Sequence, residues 1–600
     1  MWMTPPVVAA LGLAVAAVEL APAAAASNPP VFATEYGEVL CTRKEDTGVR
    51  VCHGIPFAAP PVHRLRWAPP RPPTPWAVPR NASVQGAVCP QLDFVRLKHV
   101  GSEDCLWLSV YTPAQCRGGA RCAVMVWIHG GAWIYGSNDA HGAYDGSALA
   151  AKHGVVVVAA NYRLDALGWL ALDELAAETA EGTFGNYGLL DQEFALRWTR
   201  RNIGAFGGDP DAVTLFGQSA GGYSVCQHIT RPGSNGLFSR AVMESGSCDG
   251  PWLIFDADNS KRWGSFYATK VGCPQTADPA RRLACLRTKP VAAILEPYTE
   301  WLCPVARPND PWCNRTASAA AAAGPGRVWP SPRPPLAPII GWAATVDGTR
   351  QGLPEYPYRA MLRGEVNSAP DGGKLSVIFG TTADEMALFI VGAGVVYPGT
   401  QLPIAARDIA IAAEHMVAYH QPTWNSSSAA SILTAYTGGV FRNACPAYKL
   451  VQMGTDFAFV CNTRQSAAAL AAHGHSVHVY LFDFRGPKWR DPTGETCELE
   501  SEVGCGVSHS AELPYVWQRE GSGDDSEARV SAFVGTWWTN LARYGDPNGL
   551  DGLPTNGSSV RWPVYTAATP HVMRINKNPS VMTGLADTSR CAAWDALPPY

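Results

Sequence analysis

The sequence predicts an α/β protein in which helices flank a large central, mostly parallel mixed sheet. Between residues 120 and 245, apolar β-prone runs alternate with helical patterns, which is typical of a parallel sheet covered on both faces by helices. Two runs, 124–128 and 155–160, are apolar at every position, as strands buried on both faces are. Hydrophobic residues make up 47% of the 600-residue chain and charged residues 16%, so a large buried core is expected.

The remaining elements follow in order from local patterns. Residues 189–203 place apolar side chains near helical spacing and predict a helix. Further strands are predicted at 212–216, 239–244, 375–379 and 477–482. The stretch 317–338 is rich in Ala, Pro and Gly, which indicates a surface loop and not a domain linker. Because no internal repeat divides the sequence, we expect one large domain with insertions over 27–600.

The N-terminus has the pattern of a secretory signal peptide. An apolar run over 5–18 breaks at Glu19 and is followed by three alanines at 24–26, so we expect a signal peptide over 1–26. No positively charged stretch precedes the apolar run, which leaves an uncleaved anchor as the alternative. No second apolar run reaches spanning length. The net charge of −4 and the lack of a long Lys/Arg run argue against nucleic acid or an anionic membrane surface as partners.

Cysteine usage agrees with secretion. The chain has 17 cysteines, none in the paired CxxC arrangement of a zinc site, so disulfides are expected in an oxidising compartment. Close spacing suggests the pairs Cys41/Cys52, Cys89/Cys105, Cys116/Cys122, Cys273/Cys285, Cys303/Cys313 and Cys497/Cys505. The odd count leaves at least one thiol unpaired or intermolecular, and the pairing of Cys226, Cys248 and Cys445 stays open. Four sequons predict N-glycosylation at Asn81, Asn314, Asn425 and Asn556.

The stretch 214–222 points to a nucleophilic serine. An apolar run leads into Gly217-Gln218-Ser219-Ala220-Gly221, and a helix-compatible segment follows at once. This order of strand, turn and helix holds the serine in a strained turn, which small neighbours permit, and presents its hydroxyl at the positive end of a helix dipole. The pentapeptide alone is a weak pattern. The chain must also supply a base, a group that orients the base, and donors for an oxyanion.

A candidate oxyanion loop follows the predicted strand at 124–128. The residues His129-Gly130-Gly131-Ala132 resemble the HGGG-type loop of lipases and esterases, with Ala132 at the position of the last glycine. Small side chains after a strand leave backbone N–H groups free to point into a cleft. We therefore expect the oxyanion donors to be the N–H groups of Gly131, Ala132 and Ala220, the last directly after the nucleophile.

Further blocks occur in a characteristic order along the chain. They are Gly54-Ile55-Pro56-Phe57-Ala58, Ser102-Glu103-Asp104-Cys105-Leu106, Asn186-Tyr187-Gly188-Leu189-Leu190-Asp191-Gln192, Phe206-Gly207-Gly208-Asp209-Pro210 and, beyond Ser219, Tyr544-Gly545-Asp546-Pro547-Asn548. With them the chain resembles the type-B carboxylesterases, the group that contains the cholinesterases and several fungal lipases, over nearly the whole mature chain. The resemblance implies the α/β-hydrolase fold and a serine esterase that hydrolyses carboxylic esters without a metal or organic cofactor.

The resemblance places the other two members of a catalytic triad. The block 380–385 matches the family's acid block, which makes Glu385 the triad acid and its neighbour Asp384 the rival. The block 506–516 matches the histidine block, which makes His509 the base, and its small neighbours suggest an exposed loop position. The order Ser, Glu, His along the chain is that of the α/β-hydrolases.

The resemblance also implies structural pairs. Three disulfides match the family's: Cys89–Cys105, Cys273–Cys285 and Cys461–Cys591. Two ion pairs match its scaffold: Arg66 with Glu103, and Arg163 with Asp191. The pair Cys497–Cys505, suggested by spacing alone, would brace the loop of His509.

Departures from the family narrow the substrate. Cholinesterases carry Glu before the nucleophile, whereas this chain has Gln218, and the segment between Cys89 and Cys105 lacks the tryptophan that binds choline there. We therefore disfavour choline esters and expect a small-molecule or lipid ester. Trp133 either shapes an acyl pocket or packs in the core. The alternatives are a lipase acting on long-chain acyl esters and, from another class, a non-catalytic neuroligin-like adhesion protein; the sequence does not determine the oligomeric state.

Overall fold

A single mixed sheet of 11 strands organises the part of the chain that the structure describes. The structure is a computed structural model, and it describes residues 29–596 apart from 94–95, 97, 118, 251–253, 307–340, 393–403, 421–425, 439–440, 442–443, 445, 487–505, 520–522, 551–559 and 586–587. The signal-peptide prediction for 1–26, the predicted loop at 317–338 and three of the sequons, at Asn314, Asn425 and Asn556, lie outside these described residues.

The strands are parallel in the middle of the large sheet and antiparallel at both ends. The described strands of this sheet and of three smaller sheets (β1-β2-β5, β6-β7 and β13-β14) are, in chain order, β1 (Val31–Thr34), β2 (Gly37–Leu40), β3 (Thr42–Arg43), β4 (Arg50–Pro56), β5 (Arg80–Asn81), β6 (Gln91–Asp93), β7 (Lys98–Val100), β8 (Trp107–Thr112), β9 (Cys122–Ile128), β10 (Val156–Ala160), β11 (Gly208–Gln218), β12 (Arg240–Glu244), β13 (Ile254–Asp256), β14 (Ala344–Val346), β15 (Ser376–Thr382), β16 (Ser476–Phe482), β17 (His571–Ile575) and β18 (Ser580–Thr583). The order across the sheet is β18-β17-β16-β15-β12-β11-β9-β10-β8-β4-β3. The pairs from β17 across to β10 are parallel, and those beyond are antiparallel.

Helices cover both faces of this sheet. The described α-helices are α1 (Ser147–His153), α2 (Asp165–Trp169), α3 (Asp173–Ala176), α4 (Tyr187–Asn202), α5 (Ala220–Thr230), α6 (Ala257–Lys270), α7 (Pro279–Thr288), α8 (Val291–Ala306), α9 (Pro357–Leu362), α10 (Ala406–His420), α11 (Ser426–Ala435), α12 (Pro446–Thr455), α13 (Cys461–Ala472), α14 (Leu513–Val516), α15 (Asp525–Tyr544) and α16 (Thr588–Asp595). Within this described set, no helix combines the length and the hydrophobicity needed to cross a membrane.

Two hydrophobic layers result from the alternation of side chains along each strand. In β9, Val126 belongs to the layer shared with α4 and α5, whereas its neighbour Trp127 belongs to the layer shared with α1 and α15. Both side chains are fully buried. The central strands are therefore apolar at every position because both of their faces are covered, as the uninterrupted apolar runs of the sequence predict.

The predicted fold class is confirmed, with differences at the ends of elements. The predicted helix at 189–203 is α4, which begins two residues earlier, at Tyr187. The predicted strand at 212–216 is part of the longer β11, which begins at Gly208. Its first residues are polar and partly exposed, and the pairing with β9 is irregular between Gly208 and Val213, so hydrophobicity does not reveal them.

Six disulfides are present among the described residues. Five join predicted pairs: Cys41–Cys52, Cys89–Cys105, Cys116–Cys122, Cys273–Cys285 and Cys461–Cys591. The sixth, Cys226–Cys248, links α5 to the segment after β12, a pairing that the sequence left open. The predicted pairs Cys303–Cys313 and Cys497–Cys505 lie outside the described side chains.

The two ion pairs implied by the resemblance are present and buried. Arg66 makes a bidentate contact with Glu103, with both N···O distances at 2.6 Å. Arg163 contacts both oxygens of Asp191, at 2.7 and 2.8 Å, and the Asp191 side chain is fully buried. Removing one partner of such a pair would leave a buried charge uncompensated, so these residues belong to the scaffold.

Candidate active site

Ser219 stands at a sharp turn between β11 and α5. Its backbone has φ 58° and ψ −126°, a conformation that costs a non-glycine residue about 1–3 kcal/mol. The turn is held by a hydrogen bond from the Ser219 N–H to the backbone oxygen of Glu244, at 2.9 Å. The serine hydroxyl is thereby presented at the N-terminus of α5, where the helix dipole is positive.

Glycine is sterically required on both sides of Ser219. A Cβ at Gly221 would lie 2.0 Å from the backbone oxygen of Ile128, at the end of β9. A Cβ at Gly217 would lie 2.7 Å from the same oxygen and from the backbone of Gly221. The turn therefore packs directly against the neighbouring strand, and this close approach explains the Gly-x-Ser-x-Gly spacing.

The predicted oxyanion loop lies next to this turn. Gly131, Ala132 and Trp133 all have positive φ, at 107°, 52° and 59°. Within the described chain, no acceptor is found for the N–H groups of Gly131 and Ala132. The N–H of Ala220 is the first of α5, where helix donors have no acceptor inside the helix. A Cβ on Gly130 would lie 3.1 Å from Ser219 Cβ, so loop and turn are in contact.

Buried side chains hold the oxyanion loop in place. His129 is stacked on Tyr162 with ring centroids 4.3 Å apart, and its Nδ1 lies 2.8 Å from the backbone oxygen of Gly130. Burial lowers the pKa of His129 to about 4, so this ring is neutral at pH 7 and donates to that oxygen. Trp133 is fully buried, donates to Ser224 Oγ at 3.0 Å and contacts Trp169. Of the two roles left open for Trp133, the structure therefore supports packing in the core.

Glu385 and His509, 124 residues apart, meet beside this turn. His509 Nδ1 lies 2.6 Å from Glu385 Oε2, and the other carboxylate oxygen accepts the N–H of Thr382 at 2.7 Å. Both side chains are buried, with His509 only 4% exposed. The expectation of an exposed histidine is wrong, because the rings of Phe389 and Phe459 lie 5.0 and 5.1 Å from the imidazole.

The rival carboxylate, Asp384, is engaged elsewhere. Its Oδ2 accepts the N–H of Val507 at 2.8 Å, and its Oδ1 accepts a hydrogen bond from Gln452 at 2.8 Å. These contacts tie the acid block to the segment just before His509. The structure brings Glu385, and not Asp384, to the imidazole.

Gln218, and not Ser219, contacts the second ring nitrogen of His509. Gln218 Nε2 lies 3.1 Å from His509 Nε2. Within the described part of the chain, the Ser219 hydroxyl makes no hydrogen bond. The site thus holds its three predicted side chains on adjoining elements, and among the described residues no hydrogen bond joins the Ser219 hydroxyl to His509.

Two further carboxyls, which the sequence analysis missed, lie behind this group. Burial raises the pKa of Glu244 to about 8, although a hydrogen bond from Trp538 Nε1 at 2.7 Å lowers it. Burial also raises the pKa of Glu512 well above its usual range, and the charges of Glu244 and Glu385 add to the effect. Glu244 is therefore mostly protonated at pH 7, and burial disfavours the charged form of Glu512. The sequence does mark Glu244 as unusual, because it is the one charged residue at the end of the otherwise apolar run 241–244.

The raised pKa of Glu244 predicts a pH-dependent stability. From pH 4.5 to about 8 the folded chain holds a proton on Glu244 that the unfolded chain has lost, so stability falls as pH rises through this window. The loss is at most about 1.4 kcal/mol per pH unit. We expect Glu244→Gln to remove this dependence and to stabilise the protein by about 2–4 kcal/mol at pH 8, with little effect at pH 4.5.

Denaturant unfolding at the two pH values measures this effect. The control is Glu45→Gln, which changes an exposed carboxylate and should leave both curves unchanged. If Glu244→Gln raised the free energy of unfolding as much at pH 4.5 as at pH 8, the assignment of a protonated Glu244 would be contradicted.

Across the residues that the structure describes, no cluster of three or more His, Cys, Asp or Glu side chains is arranged to hold a metal ion.

The family model described as the carboxylesterase family matches residues 28–594. The chain belongs to the carboxylesterase family. It is 31% identical over 601 residues to human cocaine esterase, covering 95% of this chain and 92% of that protein. It is 30% identical over 550 residues to the rat pyrethroid hydrolase Ces2e, covering 88% of this chain and 84% of that protein. This carboxylesterase therefore hydrolyses carboxylic esters.

Solved structures agree with this assignment. A PNB esterase superposes with a TM-score of 0.68 at 27% identity, covering 92% of this chain and 97% of that one. A thermophilic PNB esterase superposes with a TM-score of 0.69 at 27% identity, covering 94% of this chain and 99% of that one. The predicted α/β-hydrolase fold is confirmed for this carboxylesterase.

Proposed function

We propose that this carboxylesterase is a secreted serine hydrolase that cleaves small-molecule esters through an acyl-enzyme on Ser219. The observation that carries the proposal is the convergence of three parts. A strained serine begins a helix, and a histidine bonded to a glutamate lies on the adjoining loop. Beside the serine lie two backbone N–H groups that have no acceptor among the described residues. Nucleophile, oxyanion donors and oriented base are what acyl transfer requires.

The proposed mechanism follows from the hydrogen bonds. His509 donates its Nδ1–H to Glu385, so the Nε2 lone pair is available to take the proton of Ser219. The serine oxygen adds to the ester carbonyl, and the N–H groups of Gly131, Ala132 and Ala220 stabilise the oxyanion. The tetrahedral intermediate collapses as protonated His509 gives its proton to the leaving alcohol. Water then attacks the acyl-enzyme by the same route, releasing the acid and restoring the serine.

Glu385 stabilises the positive charge that His509 carries in both steps. Its second oxygen is held by the Thr382 N–H, so the carboxylate is fixed and faces the ring. Burial raises the pKa of Glu244 to about 8 and that of Glu512 well above its usual range, which disfavours further negative charge beside Glu385. One anion therefore faces one imidazole, as the mechanism requires.

The proposed substrates are small esters other than choline esters. Position 218 carries the neutral Gln218, and the segment between Cys89 and Cys105 contains no tryptophan, so the glutamate and the choline-binding tryptophan of the cholinesterases are both missing from these positions. That segment carries the short strands β6 and β7, which leaves little chain for the apolar lid of a lipase. The related proteins' names include a cocaine esterase and a pyrethroid hydrolase, which supports diverse small esters.

A chain-length series of nitrophenyl esters tests the proposal. We expect the highest kcat/KM with short acyl chains in solution and no activation by an emulsion. Activation at the emulsion interface with long acyl chains would favour the lipase alternative. Labelling with a fluorophosphonate is expected at Ser219, and a folded chain that neither labels nor hydrolyses any ester would favour the adhesion alternative.

Secretion is supported by three features. The N-terminal pattern over 1–26 matches a signal peptide, six disulfides suit an oxidising compartment, and the sequon asparagine Asn81 is exposed. N-terminal sequencing of protein released by eukaryotic cells should begin near residue 27, and a retained Met1 would contradict cleavage.

A further inference from the structure

Gln218 occupies an unusual place for a residue next to the nucleophile. It ends β11, is only 2% exposed, and its side-chain nitrogen lies 3.1 Å from His509 Nε2. A Cβ on Gly130 would lie 2.9 Å from Gln218 Oε1, so the amide reaches from the oxyanion loop to the imidazole. The side chain thus lies where the proton of Ser219 must be transferred.

The chemistry of the contact fixes the state of the ring. An amide nitrogen donates and cannot accept, so His509 Nε2 must be the acceptor and Nδ1 must carry the proton. On the opposite side, Glu385 Oε2 accepts that Nδ1–H at 2.6 Å. Gln218 and Glu385 together therefore select the neutral tautomer that a general base needs.

The same contact competes with the nucleophile. A neutral imidazole has one lone pair on Nε2, and Gln218 uses it, while the Ser219 hydroxyl makes no hydrogen bond within the described chain. The Ser219 hydroxyl can therefore donate to His509 Nε2 only when the Gln218 amide has moved away from that nitrogen.

Resting on the proposed function, we propose that Gln218 is a positioning residue that holds His509 Nε2 as a neutral acceptor in the resting enzyme and yields it to Ser219 when substrate enters. At the position before the nucleophile, where the cholinesterases carry a glutamate, this chain has a glutamine, which is uncharged and donates a hydrogen bond. Because a protonated His509 cannot accept the serine proton, a negative charge at position 218 that favours the imidazolium would hinder the reaction.

A change in the pH dependence on substitution of Gln218 can be attributed to that position because of the other groups around His509. Phe389 and Phe459 line the ring and carry no charge. Burial raises the pKa of Glu244 to about 8 and raises the pKa values of Glu512 and Tyr480 well above their usual ranges, so burial disfavours a negative charge on all three. Asp384 is hydrogen-bonded to Val507 and Gln452, and its Oδ2 lies 3.8 Å from the guanidinium of Arg485. Glu385 is the anion in contact with the ring.

The test compares Gln218→Glu with Gln218→Met through the pH dependence of kcat/KM on a nitrophenyl ester. A glutamate would accept a hydrogen bond from a protonated Nε2 and so favour the inactive imidazolium. We expect the acid limb of Gln218→Glu to move to higher pH by about one unit or more, which lowers kcat/KM by about tenfold along the acid limb. Methionine has a similar size but no donor, so we expect a shift of less than about half a unit.

Fluorophosphonate labelling of Ser219 in each variant separates the possible failures. Variants that label but share one acid limb with the wild type, whatever their activity, would overturn the positioning role. Equal losses at every pH in both variants would also overturn it, because they would indicate a packing role. A wild-type enzyme that hydrolyses esters without labelling at Ser219 would instead refute the proposed function on which the inference rests.

Discussion

Ser219→Ala is expected to abolish ester hydrolysis, lowering kcat by about 10⁴–10⁶-fold. The substitution removes the only atom that can form the acyl-enzyme in the proposed mechanism, whereas the oxyanion donors remain and supply the residual rate. Turnover of a nitrophenyl acetate measures the loss. The fold should persist, because alanine occupies the same strained backbone position at φ 58° and Gly221 still packs against Ile128.

A matched control for this variant is Ser239→Ala. Ser239 precedes β12, at the opposite end of the sheet from the site, and bonds to the backbone of β11. We expect turnover within about twofold of the wild type there, since surface changes away from special features alter little. Ser219→Ala protein that unfolds like the wild type yet keeps more than a few per cent of its turnover would contradict the role of Ser219.

Glu385→Gln is expected to lower kcat by about 10⁴-fold. The amide can donate to His509 Nδ1, which favours the tautomer whose proton sits on Nε2 and leaves no lone pair for Ser219. It also loses the negative charge that stabilises the imidazolium. Turnover of the same nitrophenyl ester measures the effect, and KM should change little because Glu385 is fully buried.

The neighbouring carboxyl supplies the control. Asp384→Asn keeps an oxygen for the Val507 N–H and does not touch the imidazole, so we expect a loss of a few-fold at most. If Asp384→Asn were as inactive as Glu385→Gln, or if Glu385→Gln kept most of its turnover, the assignment of the triad acid would fail.

The sheet and its core were largely predictable from the sequence. Runs such as 124–128 and 155–160 are apolar throughout because helices cover both faces of β9 and β10, and nothing else competes with that signal. Element ends were less predictable. In β11, Gly208 pairs with Cys122 of β9 and regular pairing resumes only at Val213, while residues 209–212 between them are partly or fully exposed, so no side-chain pattern marks the start of the strand.

The site was predictable in part. Ser219 and the loop after His129 carry local patterns, because a tight turn and a close approach demand small residues in fixed positions. Glu385 and His509 lie 124 residues apart, and only the family resemblance placed them together. A local sequence pattern does not predict a contact between segments that are far apart in the chain. For the same reason, the Gln218–His509 contact and the Cys226–Cys248 bond emerge only from the fold.

Trapping the acyl-enzyme tests the central claim most directly. A stoichiometric amount of nitrophenyl acetate is mixed with the enzyme, quenched in acid during the first turnover, and digested for mass spectrometry. We predict one acetyl group per chain, on the peptide that contains Ser219, formed as fast as nitrophenol is released and absent from Ser219→Ala. Release of nitrophenol with no acylated peptide, or with the acetyl group on another residue, would contradict the account.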